Sequence, residues 1–283
     1  MMQSFIAKQP IFDKERRLIS YELLYRNGKS VNEAAFSDAN TATRQLLSDA
    51  VTLFGLRKIT DGKRAFINFT DALILEGLPL LGDPNNIVIE LLETIEITND
   101  LVDRICELKQ LGYVFALDDY TGDSRFDPLI SYVDIIKLDL TLTTPQQQVQ
   151  ITRDLCDQVV LLAEKVETEE EFDRMVECGC ELFQGYYFGK PDIIEKHIPG
   201  ISKEMLLYLM SELDKDTVDY IRCAKLIKDE PSLAERMSVR LEQTDFLSRL
   251  DTDFIAQALM IMGKKESKKW VELMSIRGEE STF

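Results

Sequence analysis

The sequence predicts an α/β fold: a modified (βα)8 TIM-type barrel followed by a small all-α domain. Two observations carry this. Short apolar, β-branched runs alternate with amphipathic segments from the N-terminus to about residue 190, giving eight strands. Beyond Pro191 the character changes, and from about residue 200 onward no strand signal remains and the pattern is helical. A third observation, a polar residue at the end of nearly every strand, marks where a site would lie.

The first two runs, FIAKQPIF and LISYELLYR, are joined by the short polar DKERR, which suits a hairpin. TATRQLLSDAVTLFGL then has apolar residues at helical spacing. RAFINFT and NIVIELLE are the next strands, and NDLVDRICELKQLGY the next helix, ended by Gly112. VFALDDY, DIIKLDL, VVLLAEKV and LFQGYYF complete the strands, with Gly179 capping the helix before the last. The tail reads as ISKEMLLYLMSELD, TVDYIRCAKLIKD, PSLAERMSVRLEQ, TDFIAQALMIMG and SKKWVELMSI. The expected domains are residues 1–195 and 196–283, with a linker near Lys196–Gly200. In the tail, Leu206, Leu207 and Met210 form an apolar face that needs a cover, and Trp270 is a packing anchor.

The chain has 283 residues and a net charge of −17, unevenly spread. Residues 196–283 hold 14 Lys+Arg and 16 Asp+Glu; the rest hold 19 and 34. An acidic barrel repels DNA and RNA duplexes and suits metal cations, although acidity also serves solubility. No apolar run reaches membrane-span length, and the start lacks a signal peptide's core, so a cytoplasmic protein is expected. With one histidine, His197, and no C-x-x-C pair among five cysteines, a Cys/His zinc site is excluded. The cysteines read as small buried hydrophobes in a reducing compartment.

In barrels of this kind the site lies at the carboxyl ends of the strands. The polar residues there are Glu22, Asn68, Glu90, Asp118 with Asp119, Lys137 with Asp139, Glu164 and Gln184. Any one alone reads as a solvated strand end, and Asp139 is read so. The set together supplies hard oxygen ligands for Mg2+ or Mn2+. Adjacent carboxylates at Asp118 and Asp119 repel, and a divalent cation relieves this. Lys137 among them can hold a phosphate oxygen or an attacking water. Two-cation oxygen sites without histidine serve phosphoryl chemistry.

At these residues the sequence resembles the EAL domain family, phosphodiesterases that open cyclic di-GMP to linear pGpG. Glu22-Leu23-Leu24-Tyr25-Arg26 resembles the motif that names the family, with leucine in the alanine place. Gln9-Pro10-Ile11, Asn68-Phe69-Thr70, Glu90-Leu91-Leu92-Glu93, Asp118-Asp119-Tyr120 and Ile136-Lys137-Leu138-Asp139 follow in the family's order. Ala163-Glu164-Lys165-Val166-Glu167-Thr168 and Gln184-Gly185-Tyr186-Tyr187-Phe188-Gly189-Lys190-Pro191 close the series. The resemblance implies a barrel with one strand, near Phe5–Phe12 or its hairpin partner, running against the others. It implies that Glu22, Asn68, Glu90 and Asp118 hold one metal, and that Asp119 and Glu164 complete a second. It gives Lys137 the attacking water, Arg26 a phosphate of the ligand, Gln184 a supporting role, and Glu93 the anchoring of the loop after the aspartates.

Two departures bear on activity. The family's D-D-F-G-T-G-Y-S-S reads here Asp118-Asp119-Tyr120-Thr121-Gly122-Asp123-Ser124-Arg125 before Phe126, one residue shorter and with one of its two glycines, and Lys165 stands where the family has glycine. The loop also serves the family's dimer interface, so a homodimer is left open. The tail resembles the C-terminal part of an HDOD domain, through Phe254-Ile255-Ala256-Gln257-Ala258, Gly263 and Lys269-Trp270-Val271-Glu272-Leu273-Met274. That implies a signalling-protein partner and no second catalytic centre. Two readings follow: a metal-dependent cyclic di-GMP phosphodiesterase, or a silent receptor or scaffold that binds cyclic di-GMP or a protein.

Overall fold

The computed structural model of the chain describes residues 2–26, 39–198, 200–242 and 251–276. Pro199, in the expected linker, and Gln243, at the end of an expected helix, lie outside them.

Among the described residues nine strands run as β1 Met2–Asp13, β2 Leu18–Arg26, β3 Arg64–Phe69, β4 Ile87–Leu91, β5 Val114–Leu117, β6 Ile135–Asp139, β7 Val160–Glu164, β8 Leu182–Phe183 and β9 Asp192–Ile198. The pairings from β2 through β8 are parallel, while β1 pairs antiparallel with both β2 and β8 and closes the barrel. The reversed strand is therefore β1. The longer barrel helices are α1 Ala39–Asp49, α2 Asn99–Gln110, α3 Pro145–Leu155 and α4 Glu169–Glu177. A π-helical turn, Ala50–Phe54, continues α1. Thr144 and Thr168 open α3 and α4 with capping boxes. Gly112 and Gly179 close α2 and α4 in left-handed conformation, where caps are expected.

β9 is a strand beyond the eight read from the sequence, and it ends before the helical region that begins near residue 200. It crosses both the 195/196 boundary and the expected linker. The reason is the length of β1. Its residues Phe5–Phe12 pair with β2, and on the other side Phe12 and Asp13 meet β8, which leaves Met2–Lys8 open for β9. An edge that long needs a partner for its backbone groups.

The tail folds as α5 Lys203–Asp214, α6 Tyr220–Asp229, α7 Pro231–Glu242 and α8 Thr252–Ser275. The last two expected helices run on as one element, kinked at Gly263. Leu206, Leu209, Cys223, Ile227, Met237, Leu259 and Trp270 share a second core. Leu206 is buried as expected, but Leu207 is 61% exposed, so the expected apolar face is only part covered. The tail also grips the barrel. Leu273 of α8 lies in the barrel's outer core, Arg236 of α7 donates to Thr52 in the π-helical turn, and Lys196 pairs with Glu235 at 3.3 Å.

Candidate active site

Strand periodicity builds the site. Side chains two residues apart share a face. Phe66, Val88, Ala116, Ile135 and Leu162, with Ile11 from β1, form one inward apolar layer. Two residues later on the same strands come Asn68, Glu90, Asp118, Lys137 and Glu164. The polar rim thus sits directly on an apolar floor. The intervening residues Ile67, Ile89, Leu117, Ile136 and Ala163 face outward into the core under the helices.

Lys137 is the centre of this rim. Its Nζ lies 2.9 Å from Asp118 Oδ1, 2.9 Å from Glu164 Oε1 and 3.9 Å from Glu22 Oε2, and it also pairs with Glu90 Oε1. Lys137 is 1% exposed and Glu90 0%. One ammonium cannot balance four carboxylates in so dry a place. Burial pushes Glu90 and Glu164 well above the ordinary carboxylate range, against the pull of Lys137. Burial disfavours the charged Lys137, yet the surrounding carboxylates, Asp118 first, hold its pKa well above ordinary. Burial and mutual repulsion thus favour the protonated forms of Glu90 and Glu164.

The same geometry suits divalent cations. Asn68 Oδ1, Glu90 Oε2 and Gln184 Oε1 are buried without a hydrogen-bond partner. Such atoms carry a desolvation cost that a cation or ligand relieves. Glu93, Asp118 and Asp119 each bring a carboxylate oxygen within 4.8 Å of the other two. Glu93 as a ligand candidate was missed by sequence reasoning, which gave it a loop-anchoring role. The signal available was its spacing from Glu90, which carries it past the end of β4 to the rim.

Gln184 Nε2 donates to Glu22 Oε2 at 2.7 Å and fixes that carboxylate. Behind it, Gly185 packs on Val166: a Cβ at 185 would stand 2.1 Å from the Val166 carbonyl oxygen, so only glycine fits. At the end of β2, Arg26 Nη1 donates to the Tyr25 carbonyl at 3.1 Å, while its buried Nε has no partner. Of the residues singled out in the sequence, Glu22, Glu90, Asp118, Lys137, Glu164 and Gln184 are brought into one connected cluster. Asn68 stands beside Glu90 in the β3–β4 register. Asp119 and Glu93 join through Asp118. Arg26 lies two pleats beyond Glu22 on the same face of β2, close enough to feel the Glu22 charge.

The pattern of the EAL domain family matches residues 3–191. The chain belongs to the EAL domain family. It is 36% identical to YuxH of Bacillus subtilis, over 98% of this chain and 69% of that protein. It is 30% identical to the cyclic di-GMP phosphodiesterase CdgJ of Vibrio cholerae, over 96% of this chain and 64% of that protein. The chain thus spans about two thirds of the length of these curated relatives. Among solved structures it is similar to Klebsiella pneumoniae BlrP1 in a calcium and cyclic di-GMP complex, with a TM-score of 0.54 and 25% identity, over 68% of this chain and 56% of that one.

In this EAL domain the two departures have structural consequences. Asp119 adopts φ 46° and Lys165 φ 55°, both in the left-handed region. Glycine suits that conformation, so Lys165 holds it at a cost of about 1–2 kcal/mol. The Lys165 ammonium turns to Asp139 Oδ2. Asp139 also accepts from the Thr141 amide and hydroxyl, each at 2.6 Å. Reading Asp139 as a solvated strand end is therefore corrected: it is 1% exposed, because two residues beyond Lys137 it points inward as well. Burial alone would raise its pKa, but the Lys165 and Thr141 donors hold it below the ordinary carboxylate value. Burial, then Asp118, push Asp119 up to about 6.

The shortened loop has its own fixings. The Tyr120 amide donates to the Lys137 carbonyl at 3.0 Å, and the Asp118 amide to the Leu91 carbonyl at 2.9 Å. Arg125 donates to the Glu93 carbonyl and pairs with Asp123 at 3.1 Å. The loop is tied to Glu93 through that residue's backbone, which leaves the Glu93 carboxylate beside the aspartates.

Proposed function

We propose that this EAL domain hydrolyses cyclic di-GMP to linear pGpG with divalent cations, Mg2+ or Mn2+, at the barrel rim. The observation that carries this is the rim itself: one buried lysine among four carboxylates, with Asn68 Oδ1, Glu90 Oε2 and Gln184 Oε1 lacking partners. The family and the named activity of CdgJ support the substrate.

In this reading Glu22, Asn68, Glu90 and Asp118 hold one cation. Asp119 and Glu164 hold a second, with the Glu93 carboxylate available to it. Bound there, such cations lower the pKa of a water and neutralise charge on the phosphate. The chain's own groups do the positioning. Gln184 orients Glu22. Lys137, kept protonated by its neighbours, donates to the attacking water or to a phosphate oxygen. Arg26 offers its unpaired Nε to the second phosphate. Water adds to phosphorus, the P–O3′ bond breaks, and the 3′ oxygen leaves with a proton, which gives a 5′-phosphate and a free 3′ hydroxyl.

The helical tail belongs to the proposal as an HDOD-like signalling module, with residues 1–195 as the EAL domain and 196–283 as the module. β9 runs across that boundary, from Asp192 to Ile198. A signalling protein is its partner, the chain acts in the cytoplasm, and a homodimer is testable by sedimentation. The described residues contain no helix long and apolar enough to cross a membrane.

The test is the purified chain with cyclic di-GMP and Mg2+ or Mn2+, with products separated by chromatography. We expect pGpG, formed slowly and faster as Mn2+ rises, because the short loop carries Asp119. Restoring Gly-Thr-Gly-Tyr-Ser-Ser and changing Lys165→Gly should raise turnover more than affinity. Binding without pGpG leaves the receptor reading. Neither binding nor cleavage with metal present leaves a protein-binding scaffold.

A further inference from the structure

Five cysteines are spread through the chain. Cys223 is buried and Cys106 half-buried. The other three, Cys156, Cys178 and Cys180, meet at one corner of the barrel. Cys156 caps the C-terminus of α3, and Cys178 caps that of α4. After Cys178 the chain turns sharply through Gly179, with the Gly179 amide donating to the Val176 carbonyl at 3.0 Å and the Cys180 amide to the Met175 carbonyl at 2.9 Å. That turn brings the segment against Cys156: a Cβ built on Gly179 would stand 3.4 Å from Cys156 Cβ.

A disulfide needs Cβ atoms about 3.5–4.5 Å apart and Cα atoms within about 6.8 Å. Cys178 and Cys180 flank the position that meets Cys156, each about 3.8 Å from it between Cα atoms. Both ends of the cross-link would lie at helix termini, where a turn adjusts more readily than a helix interior. The reading of all five cysteines as buried does not hold here. Cys156 is exposed and Cys178 half-buried, while Cys180 is closed off at 2% exposure. Burial, with Cys178 and Cys156 as neighbours, pushes the Cys180 thiol up to about 12. The thiolate is the reactive form, so Cys180 is the inert member.

We propose that Cys156 and Cys178 form a thiol-oxidation site, joined reversibly as a disulfide by a low-molecular-weight disulfide such as oxidised glutathione. The Cys156 thiolate attacks one sulfur of the small disulfide, forms a mixed disulfide and expels one thiolate. The Cys178 thiolate then attacks the Cys156 sulfur, closes the intramolecular bond and expels the second thiolate. The two protein protons end on the two released thiols, and the two electrons given up by the protein reduce the small disulfide. The link ties the ends of α3 and α4 together, six residues before Gln184.

The test uses the folded full chain, without denaturant, exposed to oxidised glutathione and then analysed by intact mass and peptide mapping. The expected result is loss of the mass of two hydrogen atoms, a peptide pair linked through Cys156 and Cys178, and full reversal by dithiothreitol. Cys178→Ser should keep a glutathione adduct on Cys156, and Cys180→Ala should leave the link intact. A link to Cys180, a lasting adduct on Cys156 in the unmutated chain, or no reaction at Cys156 would each overturn the proposal. None of these readouts depends on turnover of cyclic di-GMP.

Discussion

Lys137 Nζ stands 2.9 Å from Asp118 Oδ1, which joins β6 to β5 across the mouth of the barrel. The pair belongs to a set of acids that one ammonium cannot balance. Its energetics therefore depend on what else carries positive charge there, protons or metal, and the first predictions follow from that.

Changing Lys137→Met removes the ammonium at the centre of a site that is almost dry. Breaking a buried pair costs about 3–5 kcal/mol, and protonation of the remaining acids moderates it. We expect metal-free protein to lose about 3 kcal/mol at pH near 7 and less at pH near 5. Urea unfolding at both values checks this. An equal loss at the two would mean that protons do not replace the lysine.

Divalent metal should raise the melting temperature. A cation at a hundredfold excess over its Kd adds about 2.7 kcal/mol. Thermal melts with and without Mg2+ or Mn2+ measure this, and Asp118→Asn should remove most of the gain. A melt indifferent to saturating metal would count against an oxygen-ligand site.

Asp119 gives a pH dependence of definite sign. Its carboxyl titrates at about 6 in the fold against an ordinary 3.8. Between those values the native state holds a proton that the unfolded chain has released, so stability falls as pH rises. In metal-free protein, Asp119→Asn should gain relative to the parent from about pH 4 to pH 6 and level off above. A difference that stays flat across the window would sink the assignment.

Lys165 sets strain against charge. Lys165→Gly relieves the left-handed backbone, and Lys165→Asn, which also tolerates it, removes the charge. Both leave Asp139 without its ammonium. Because the folded pKa of Asp139 is lowered, its stabilisation is present above the unfolded value and lost as pH falls through the folded one. Both variants should therefore shift the acid-unfolding midpoint upward, with stability near neutral pH changed by less than about 2 kcal/mol. An unmoved midpoint would mean that Lys165 does not sustain the Asp139 charge.

The tail should not separate freely from the barrel. Leu273 fills part of the barrel's outer core, and Arg236 is 3% exposed against Thr52. A chain ending at Gly200 should aggregate or melt lower than the full chain. Leu273→Ala should cost about 2–5 kcal/mol in the full chain by urea unfolding. A shortened chain as stable as the whole would make the helices an independent unit.

The sequence by itself determined the alternation of strands and helices, the strand-end polar residues and the family motifs, because these are local patterns. Inward and outward faces follow from a period of two, so Phe66 below Asn68 and Val88 below Glu90 were implicit in the order of residues. Tertiary structure alone decided what depends on partners far along the chain. β9 is a strand because β1 overhangs the barrel, and nothing within Asp192–Ile198 announces that edge. Asp139 keeps its charge in the interior because Lys165 reaches it from just past the end of β7. Glu93 joins the aspartates because Arg125 ties the intervening loop to its backbone. Cys156 meets the turn at Gly179, beside Cys178, only when two neighbouring helices end at one corner. Each is a long-range contact whose energy exists only after the chain has closed the loop between its partners.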